Sequence, residues 1–217
     1  MTDPAGSTLP QSPSSPLGGV EVRIAVVEAA IRVFRRHALH EASPQLVAVE
    51  AGLPLAEVTG QFPSWNGLIL AAIDRWNVKR MQPIMPLAAK YGTVVFLRGI
   101  VQANVDDPDL MRLLTAVINI AATPGHPMSA PLQSDWRDFH QLVQRNLARD
   151  IELGREPATM EPARGAEQLI ALYEGLQLQA LVRRDMDLLD SYDRAVTRLR
   201  HGWTRSYKAP TWTLDEV

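Results

Sequence analysis

The sequence of 217 residues contains no cysteine. A chain without thiols forms no disulfide, offers no thiolate ligand to zinc and has no cysteine nucleophile. This composition is typical of proteins from a reducing compartment, so we expect a cytoplasmic location. The sequence also lacks any apolar run near the ~20 residues that span a bilayer, so we expect no membrane contact.

Basic residues are missing from one long segment, because no Lys or Arg occurs from His37 to Ile73. Up to Trp76, five basic residues stand against seven acidic ones, and the formal net charge of the whole chain is -2. Such a chain has no global positive field that attracts nucleic acid or an anionic membrane. Any contact with DNA must therefore depend on a few local residues.

Sequence motifs for catalysis and metal binding are also missing. No Gly-x-Ser-x-Gly, Gly-x-x-x-x-Gly-Lys or Gly-x-Gly-x-x-Gly sequence occurs. The five histidines are scattered and include no pair spaced four residues apart, the spacing that binds zinc from a helix. The sequence predicts a protein that is not an enzyme and that uses no metal or cofactor.

Apolar residues recur at helical spacing along most of the chain, and no alternating strand pattern appears. An all-α fold is therefore expected. The predicted helices cover residues 20–38, 44–52, 54–60, 65–81, 92–106, 109–122, 129–154, 163–184 and 187–201. Pro83 and Pro86 are expected to end or kink the fourth of these helices.

The predicted helices divide the chain into four parts. Residues 1–19 are rich in Pro, Ser and Gly and are predicted to be a disordered leader without the features of a signal peptide. Residues 20–66 form a three-helix head, residues 67–203 form a helical body, and residues 204–217 form a tail.

Within the head, residues 38–68 have the pattern of a helix-turn-helix. Ser43 can cap a helix that starts at Pro44, where the missing amide proton of proline costs nothing. Gly52 suits the left-handed residue at which that helix ends. A short helix, an aromatic stop at Phe62 and a new helix follow, which is the arrangement that places a recognition helix in the major groove of DNA.

The same segment resembles the tetracycline-repressor (TetR) family of transcriptional regulators. Without a gap, it carries matching residue types at the positions that pack the motif. These positions are Leu39, Ser43, Val47, Ala48, Ala51, Gly52, Leu53, Val58, Phe62, Ser64 and Leu68. The resemblance implies a helix-turn-helix DNA-binding head joined to a helical domain for ligand binding and dimerisation.

The departures from the family pattern fall on the positions that contact DNA. They are Pro54 for a capping Ser, Leu55 for Lys or Arg, Glu57 for Thr or Ser, Thr59 for a phosphate-binding Tyr, and Trp65 for a phosphate-binding Lys. Contacts of Lys and Arg with phosphate supply most of ordinary DNA affinity. The head thus keeps the residues that shape the motif and lacks those that provide binding energy.

The candidate DNA-contacting residues come from the first helix and from the outward face of the motif. They are Arg32, Arg35, Arg36, Ser43, Gln45, Leu55, Ala56, Glu57, Thr59, Gly60, Gln61 and Trp65. Two alternatives stay open. The arginines can form a solvated face that touches no phosphate, and Trp65 can pack against protein instead of lying along the DNA backbone.

In the resembling family, the helices of the body enclose a small-molecule pocket. The residues that could line such a pocket here are Trp76, Met81, Met85, Phe96, Met111, Leu114, Ile118, Trp136, Phe139, His140, Tyr173 and Gln177. The expected effector is a small apolar molecule with one or two hydrogen-bonding groups. For any single one of these residues, a place in the hydrophobic core is the alternative.

The last two predicted helices resemble the pair that forms a four-helix bundle between two subunits of the family. The candidate residues of this homodimer interface are Leu172, Gly175, Leu176, Gln179, Tyr192, Val196 and Leu199. The alternative is that these helices are buried within the core of one subunit.

The resemblance implies a ligand-responsive transcriptional regulator, usually a repressor, that binds operator DNA as a homodimer. The scarcity of basic residues favours an alternative function. In that alternative, a TetR-like protein binds a small molecule or another protein and has lost tight binding to double-stranded DNA.

Overall fold

The computed structural model describes residues 18–205, which form ten α-helices and no β-strand. The helices are α1 (Gly19–Arg36), α2 (Pro44–Ala51), α3 (Leu55–Gln61), α4 (Trp65–Met81), α5 (Met85–Tyr91), α6 (Thr93–Asp106), α7 (Pro108–Ala121), α8 (Ser129–Glu152), α9 (Pro162–Val182) and α10 (Leu188–Trp203). The all-α prediction is confirmed. Within residues 18–205, every helix falls short of a membrane span in its length or its hydropathy. The predicted leader and tail fall almost entirely outside the described residues.

The caps of the helix-turn-helix are those that the sequence predicts. The Ser43 hydroxyl accepts a hydrogen bond from the Leu46 amide at 3.3 Å, at the start of α2. Gly52 ends α2 with φ of 66°, a left-handed conformation that glycine adopts without a Cβ clash. Ser64 in turn accepts from the Gly67 amide and begins α4. Local sequence therefore sets where α2 begins and ends and where α4 begins.

Two hydrophobic cores hold the chain together. The first core joins α1, α2 and α3 to the amino-terminal part of α4 and to α7, with Phe34, Leu68 and Leu110 among its buried side chains. The second core lies among α5, α6, α8, α9 and α10, with Phe96 and Tyr192 fully buried. Because the first core includes α7, the head is packed directly against the body.

The structure adds one helix that the sequence did not predict. Helix α4 ends at Met81 as expected, but a further helix, α5, follows at once and contains Pro86. Pro86 lies in the first turn of α5, where its amide proton would have had no helical acceptor. Gly92 then separates α5 from α6 with φ of 95°. The same proline that can break a helix here helps to start one.

Candidate functional site

The body contains a cleft of about 910 Å³ between α4, α6, α7, α8 and α9, and its walls are mostly apolar. Seven of the predicted ligand-binding residues line it. They are Met81, Leu114, Ile118, Trp136, Phe139, His140 and Tyr173. A cleft of this size and composition suits a drug-sized organic molecule.

The other five predicted residues lie elsewhere. Trp76 and Met111 are buried in the first core, and Phe96 is buried in the second. Met85 is exposed at the start of α5. Gln177 is buried beside the cleft, where its amide oxygen accepts a hydrogen bond from Asn104. Helical spacing identified these residues as buried or large, but it does not distinguish a cleft wall from a core.

Three aromatic rings form one side of the cleft. The ring centroids of Trp136 and Phe139 are 6.2 Å apart, and those of Phe139 and Tyr173 are 6.3 Å apart, both in tilted arrangements. Such rings offer a broad apolar surface with a polar group at the Tyr173 hydroxyl. This side of the cleft is therefore suited to the apolar part of a ligand.

In contrast to the aromatic side, another part of the cleft is polar and consists of a cluster around Arg80. The sequence analysis did not identify this cluster. Arg80 Nε donates to Asn77 Oδ1 at 2.9 Å, and Nη1 donates to Asn104 Oδ1. Its guanidinium carbon lies 4.1 Å from the centroid of the Trp76 ring, as in a cation–π contact. Burial lowers the pKa of the Arg80 guanidinium, against smaller opposing effects of Tyr173 and Asp107. The sequence did hold one indication of this cluster. Arg80 is a positive charge at helical spacing from Ile73 and Trp76, on a face of α4 that is otherwise apolar.

Carboxylates lie on the side of the cleft nearest α8. Asp135 and Asp138 line the cleft and are exposed. The pKa of the Asp135 carboxyl is raised mainly by burial and to a smaller extent by the charge of Asp138. The pKa of the Asp74 carboxyl is raised in the same way, by burial and then by the charge of Asp135. Arg137 and Arg145 also line the cleft, so two exposed cations accompany these two exposed acids.

Helix α4 connects the cleft with the head. Leu68, Ile69 and Ala72 are buried in the first core, whereas Asn77 and Arg80 line the cleft one to three turns further on. A helix transmits a displacement along its axis because its backbone hydrogen bonds hold it together. Helix α4 is thus a continuous element between the head and the cleft.

The cations of the head already have partners within the chain. Glu50 of α2 binds two of them, with Arg32 Nε at 2.6 Å and Arg36 through Nη2. The hydrogen bonds from Arg32 and Arg36 lower the pKa of the Glu50 carboxyl. Arg75 and Lys79 of α4 both bind Glu28 of α1, at 2.9 Å and 2.6 Å.

Two further arginines of α1 are similarly engaged. Arg23 Nη1 donates to the backbone carbonyl of Gln61 at 2.6 Å, and its guanidinium lies over the Phe62 ring. Arg35 binds Asp107 between α6 and α7, so this candidate for DNA contact points towards the body. Every Lys and Arg of residues 18–79 thus forms a hydrogen bond within the chain.

The recognition helix α3 presents a small neutral surface. Leu55, Ala56, Thr59 and Gly60 are exposed, and the Thr59 hydroxyl donates to the carbonyls of Leu55 and Ala56. Glu57 and Gln61, which were also expected on this face, are half-buried. The Glu57 atom Oε2 is buried without a hydrogen-bond partner among residues 18–205.

At the edges of the motif, Gln45 is exposed near the start of α2, while the Ser43 side chain is used as a cap. Trp65 packs against the first core, and its ring centroid lies 5.7 Å from that of Phe34. The structure thus favours the interpretation of Trp65 as a packing residue.

The predicted dimer residues separate into buried and exposed groups. Tyr192 and Val196 are buried in the second core of their own chain, so their assignment to a subunit interface is corrected. Leu172, Leu176 and Leu199 are half-buried and pack against the same core. The apolar side of α10 packs against the core of its own subunit. The spacing of apolar residues in the sequence does not distinguish this packing from packing against a second subunit.

One face of α9 remains exposed and largely apolar. It carries Ala171, Gly175, Leu178, Gln179 and Val182, with Leu178 55% and Val182 76% exposed. A Cβ atom added at Gly175 would meet no atom within 4 Å. Gly175 is therefore open to solvent on this face.

Comparison with known proteins gives structural but no sequence relatives. No protein-family model matches the sequence, and no curated protein matches it. Among solved structures, a TetR transcription regulator from Haloarcula marismortui has a TM-score of 0.72 at 14% identity, covering 84% of this chain and 98% of that one. SmeT, the repressor of the Stenotrophomonas maltophilia multidrug efflux pump SmeDEF, has a TM-score of 0.65 at 18% identity, covering 83% and 89%.

The SmeT–triclosan complex also matches, with a TM-score of 0.66 at 18% identity over 89% of this chain and 99% of that one. These likenesses extend over nearly the whole of each structure. The chain therefore has the fold of TetR-type transcriptional regulators, as its sequence predicts.

Proposed function

We propose that this TetR-fold protein is a transcriptional regulator that binds operator DNA as a homodimer and responds to a small, mostly apolar effector. The observation that carries the proposal is the course of α4. Its first turns are part of the core of the helix-turn-helix, and its last turns line the 910 Å³ cleft. An effector in the cleft would change the position of the head and thereby the affinity for DNA.

The structural relatives support a protein in which one part binds DNA and another binds a small molecule. SmeT is a repressor and forms a complex with triclosan. The cleft of the present chain, with its aromatic side at Trp136, Phe139 and Tyr173, offers a comparable apolar molecule a place to bind. Repression is the mode of regulation that we propose.

Homodimer formation is proposed through the exposed face of α9. Leu178 and Val182 are large apolar side chains on the surface of one subunit, and Gly175 between them and Ala171 permits close helix packing. Two copies of α9 related by a two-fold axis would cover these side chains. The dimer would hold two heads at a fixed spacing, as recognition of a palindromic operator requires.

DNA contact is proposed for the exposed residues at the start of α2 and along α3. Gln45 and Leu55 are exposed there, together with Ala56, Thr59 and Gly60. Arg32 and Arg36 would contribute to phosphate binding only by exchanging Glu50 for phosphate. We therefore expect weaker phosphate binding and a shallower salt dependence than an unpaired set of cations would give.

The proposal is tested by incubating the full chain with a pool of randomised duplex DNA and sequencing the bound fraction. Enriched duplexes are then measured by fluorescence anisotropy at several salt concentrations. Enrichment of a palindromic sequence is the expected result. A pool that stays unenriched at low salt would overturn the proposed DNA binding.

A second candidate function is favoured by the charges of the head. All six Lys and Arg side chains of residues 18–79 bind partners within the chain, and α3 exposes no charged side chain. Under this alternative, the protein binds its ligand or another protein through the TetR fold and does not hold DNA tightly. Ligand binding to the cleft without enrichment of any DNA would support it.

A further inference from the structure

Arg80 is a charged side chain in the wall of an apolar cleft, and it has no charged partner. Its ion-pair distance to every carboxylate of residues 18–205 exceeds 4 Å, whereas eleven other pairs in these residues meet that limit. The partners of its guanidinium are neutral: the amides of Asn77 and Asn104, and the nearby hydroxyl of Tyr173. Arg80 is half-buried, and even a partly desolvated guanidinium without an anion carries a cost, because charges taken out of water are normally paired.

The neutral partners hold Arg80 in a fixed position. Asn104 accepts from Arg80 and donates to the Tyr173 hydroxyl at 3.0 Å and to Gln177. Gln177 in turn donates to the Tyr173 carbonyl at 3.3 Å. Asn104 and Gln177 are buried, so this network fixes the cation without neutralising it.

Two hydrogen-bond donors remain available beside the cleft. Arg80 Nη2 makes no well-formed hydrogen bond within residues 18–205, and the Tyr173 hydroxyl, which lies close to Arg80, accepts from Asn104 but donates to no acceptor in the same range. Both residues line the cleft. A guanidinium nitrogen and a phenolic hydroxyl that share one cleft are a suitable pair of donors for a carboxylate.

The charged residues that line the cleft other than Arg80 balance one another, so the cleft has a net positive charge that comes from Arg80. Asp135 and Asp138 are matched in number by Arg137 and Arg145, and all four are exposed on α8. Arg80 is the additional, less accessible cation on the facing helix α4. An anion at Arg80 would therefore meet no uncompensated negative charge from the lining residues.

We propose that the ligand of this cleft is an amphipathic organic anion, whose single carboxylate binds Arg80 and Tyr173 while its apolar part lies against Trp136 and Phe139. The inference rests on the proposed role of the cleft as the effector site, and it gives that effector a chemical class. Binding would supply the missing counter-ion at the end of α4 that lines the cleft. The charged group, rather than the apolar part alone, would then be the element that acts on α4.

The test compares three probes with the same ring system and different charge. They are 2-naphthoate, 2-naphthalenemethanol and 2-naphthylmethylammonium, each titrated into the full chain by calorimetry. The carboxylate is expected to bind at least about tenfold more tightly than the alcohol, which corresponds to about 1.4 kcal/mol. The ammonium probe is expected to bind most weakly. Equal binding of carboxylate and alcohol, preference for the ammonium probe, or no measurable binding of the carboxylate would each overturn the proposal.

Variants assign the preference to one residue. Arg80→Met keeps much of the side-chain volume and is expected to abolish the preference for carboxylate over alcohol. The matched control Arg137→Met removes an exposed cation from the same cleft and is expected to keep the preference. Arg80→Lys retains the positive charge and is expected to keep part of the preference for carboxylate over alcohol. This second variant keeps the test valid if the Met variant fails to fold. A preference that survives Arg80→Met in a folded protein would place the anion elsewhere.

The outcome is separable from that of the proposed function. If the alcohol binds as well as the carboxylate while the protein still enriches an operator, only the class of ligand is wrong. If the carboxylate preference depends on Arg80 but no DNA is enriched, the anion site stands and the regulatory function fails.

Discussion

The guanidinium of Arg35 in α1 binds the carboxylate of Asp107 at the junction of α6 and α7, with Nη2 2.7 Å from Oδ2. The hydrogen bond to Asp107 raises the pKa of Arg35. The pair connects residues 72 positions apart, and it joins the head to the body at a point separate from α4. Movement of the head relative to α7 would have to stretch or break this pair.

We expect the Arg35–Asp107 pair to contribute a coupling energy of about 0.5–1 kcal/mol to folding, since both side chains are partly solvated. The measurement is a double-mutant cycle of Arg35→Ala and Asp107→Ala in chemical denaturation. The pair of Arg194 and Asp190 within α10 is the matched control, because it is more exposed and spans one helical turn. Its coupling should be below about 0.5 kcal/mol. Equal coupling in the two cycles would deny Arg35 a particular role in joining head and body.

Glu50 is expected to limit the DNA affinity of the head, because it occupies both Arg32 and Arg36. Glu50→Gln removes the negative charge and frees two guanidinium groups for phosphate. Binding to a non-specific duplex should tighten, and the slope of log K against log salt should become steeper by up to about two units. Fluorescence anisotropy at several salt concentrations measures both quantities.

The control for this change is Glu21→Gln, which removes the same charge from the exposed start of α1 without releasing an arginine. An equal effect of the two substitutions would show a general charge effect. No effect of either would mean that Arg32 and Arg36 lie away from the DNA.

The parts of the fold that could be predicted from sequence are those set by local chemistry. Ser43 and Gly52 fix the ends of α2 by a side-chain cap and a left-handed turn, both of which depend on a few neighbouring residues. Pro86 shows the limit of that approach. Its effect depends on its position within a helix, and the sequence around it does not establish where α5 begins.

The candidate site was predictable only as a group of apolar residues. Trp136 and Phe96 are both aromatic residues of predicted helices, but Trp136 lines the cleft and Phe96 is fully buried. Tyr192 was predicted to lie in the dimer interface, but it is buried in the core of its own subunit. Arg80 escaped notice because its significance depends on Asn104 and Tyr173, which approach it only after folding.

The proposed dimer predicts a specific effect of charge on α9. Val182→Glu places a carboxylate on the exposed apolar face, where burial against a second subunit would be costly. The full chain is expected to sediment as a dimer at micromolar concentration and the variant as a monomer. Val20→Glu is the control, because Val20 is 74% exposed, close to the 76% of Val182, and lies at the start of α1. A monomeric parent protein, or a dimer that tolerates Val182→Glu, would exclude this interface.

Glu174 in α9 is a half-buried carboxylate whose atom Oε1 is buried without a hydrogen-bond partner among residues 18–205. Burial raises the pKa of this carboxyl above its ordinary value of 4.5. The folded state therefore keeps a proton that the unfolded chain releases, so stability is greatest below the unfolded pKa and declines as pH rises through the folded pKa.

Glu174→Gln removes the charge that causes this decline. At pH 8 the variant is expected to melt about 2–4 °C above the parent, equivalent to roughly 1 kcal/mol for a chain of this size and already reduced for partial solvation. Below about pH 4, where the parent carboxyl is protonated in both states, the two melting temperatures should converge. Glu167→Gln, an exposed position on the same helix, should show neither the gain nor the convergence. A gain of the same size at every pH would mean that ionisation of Glu174 is not its cause, because only the charged form carries the desolvation penalty.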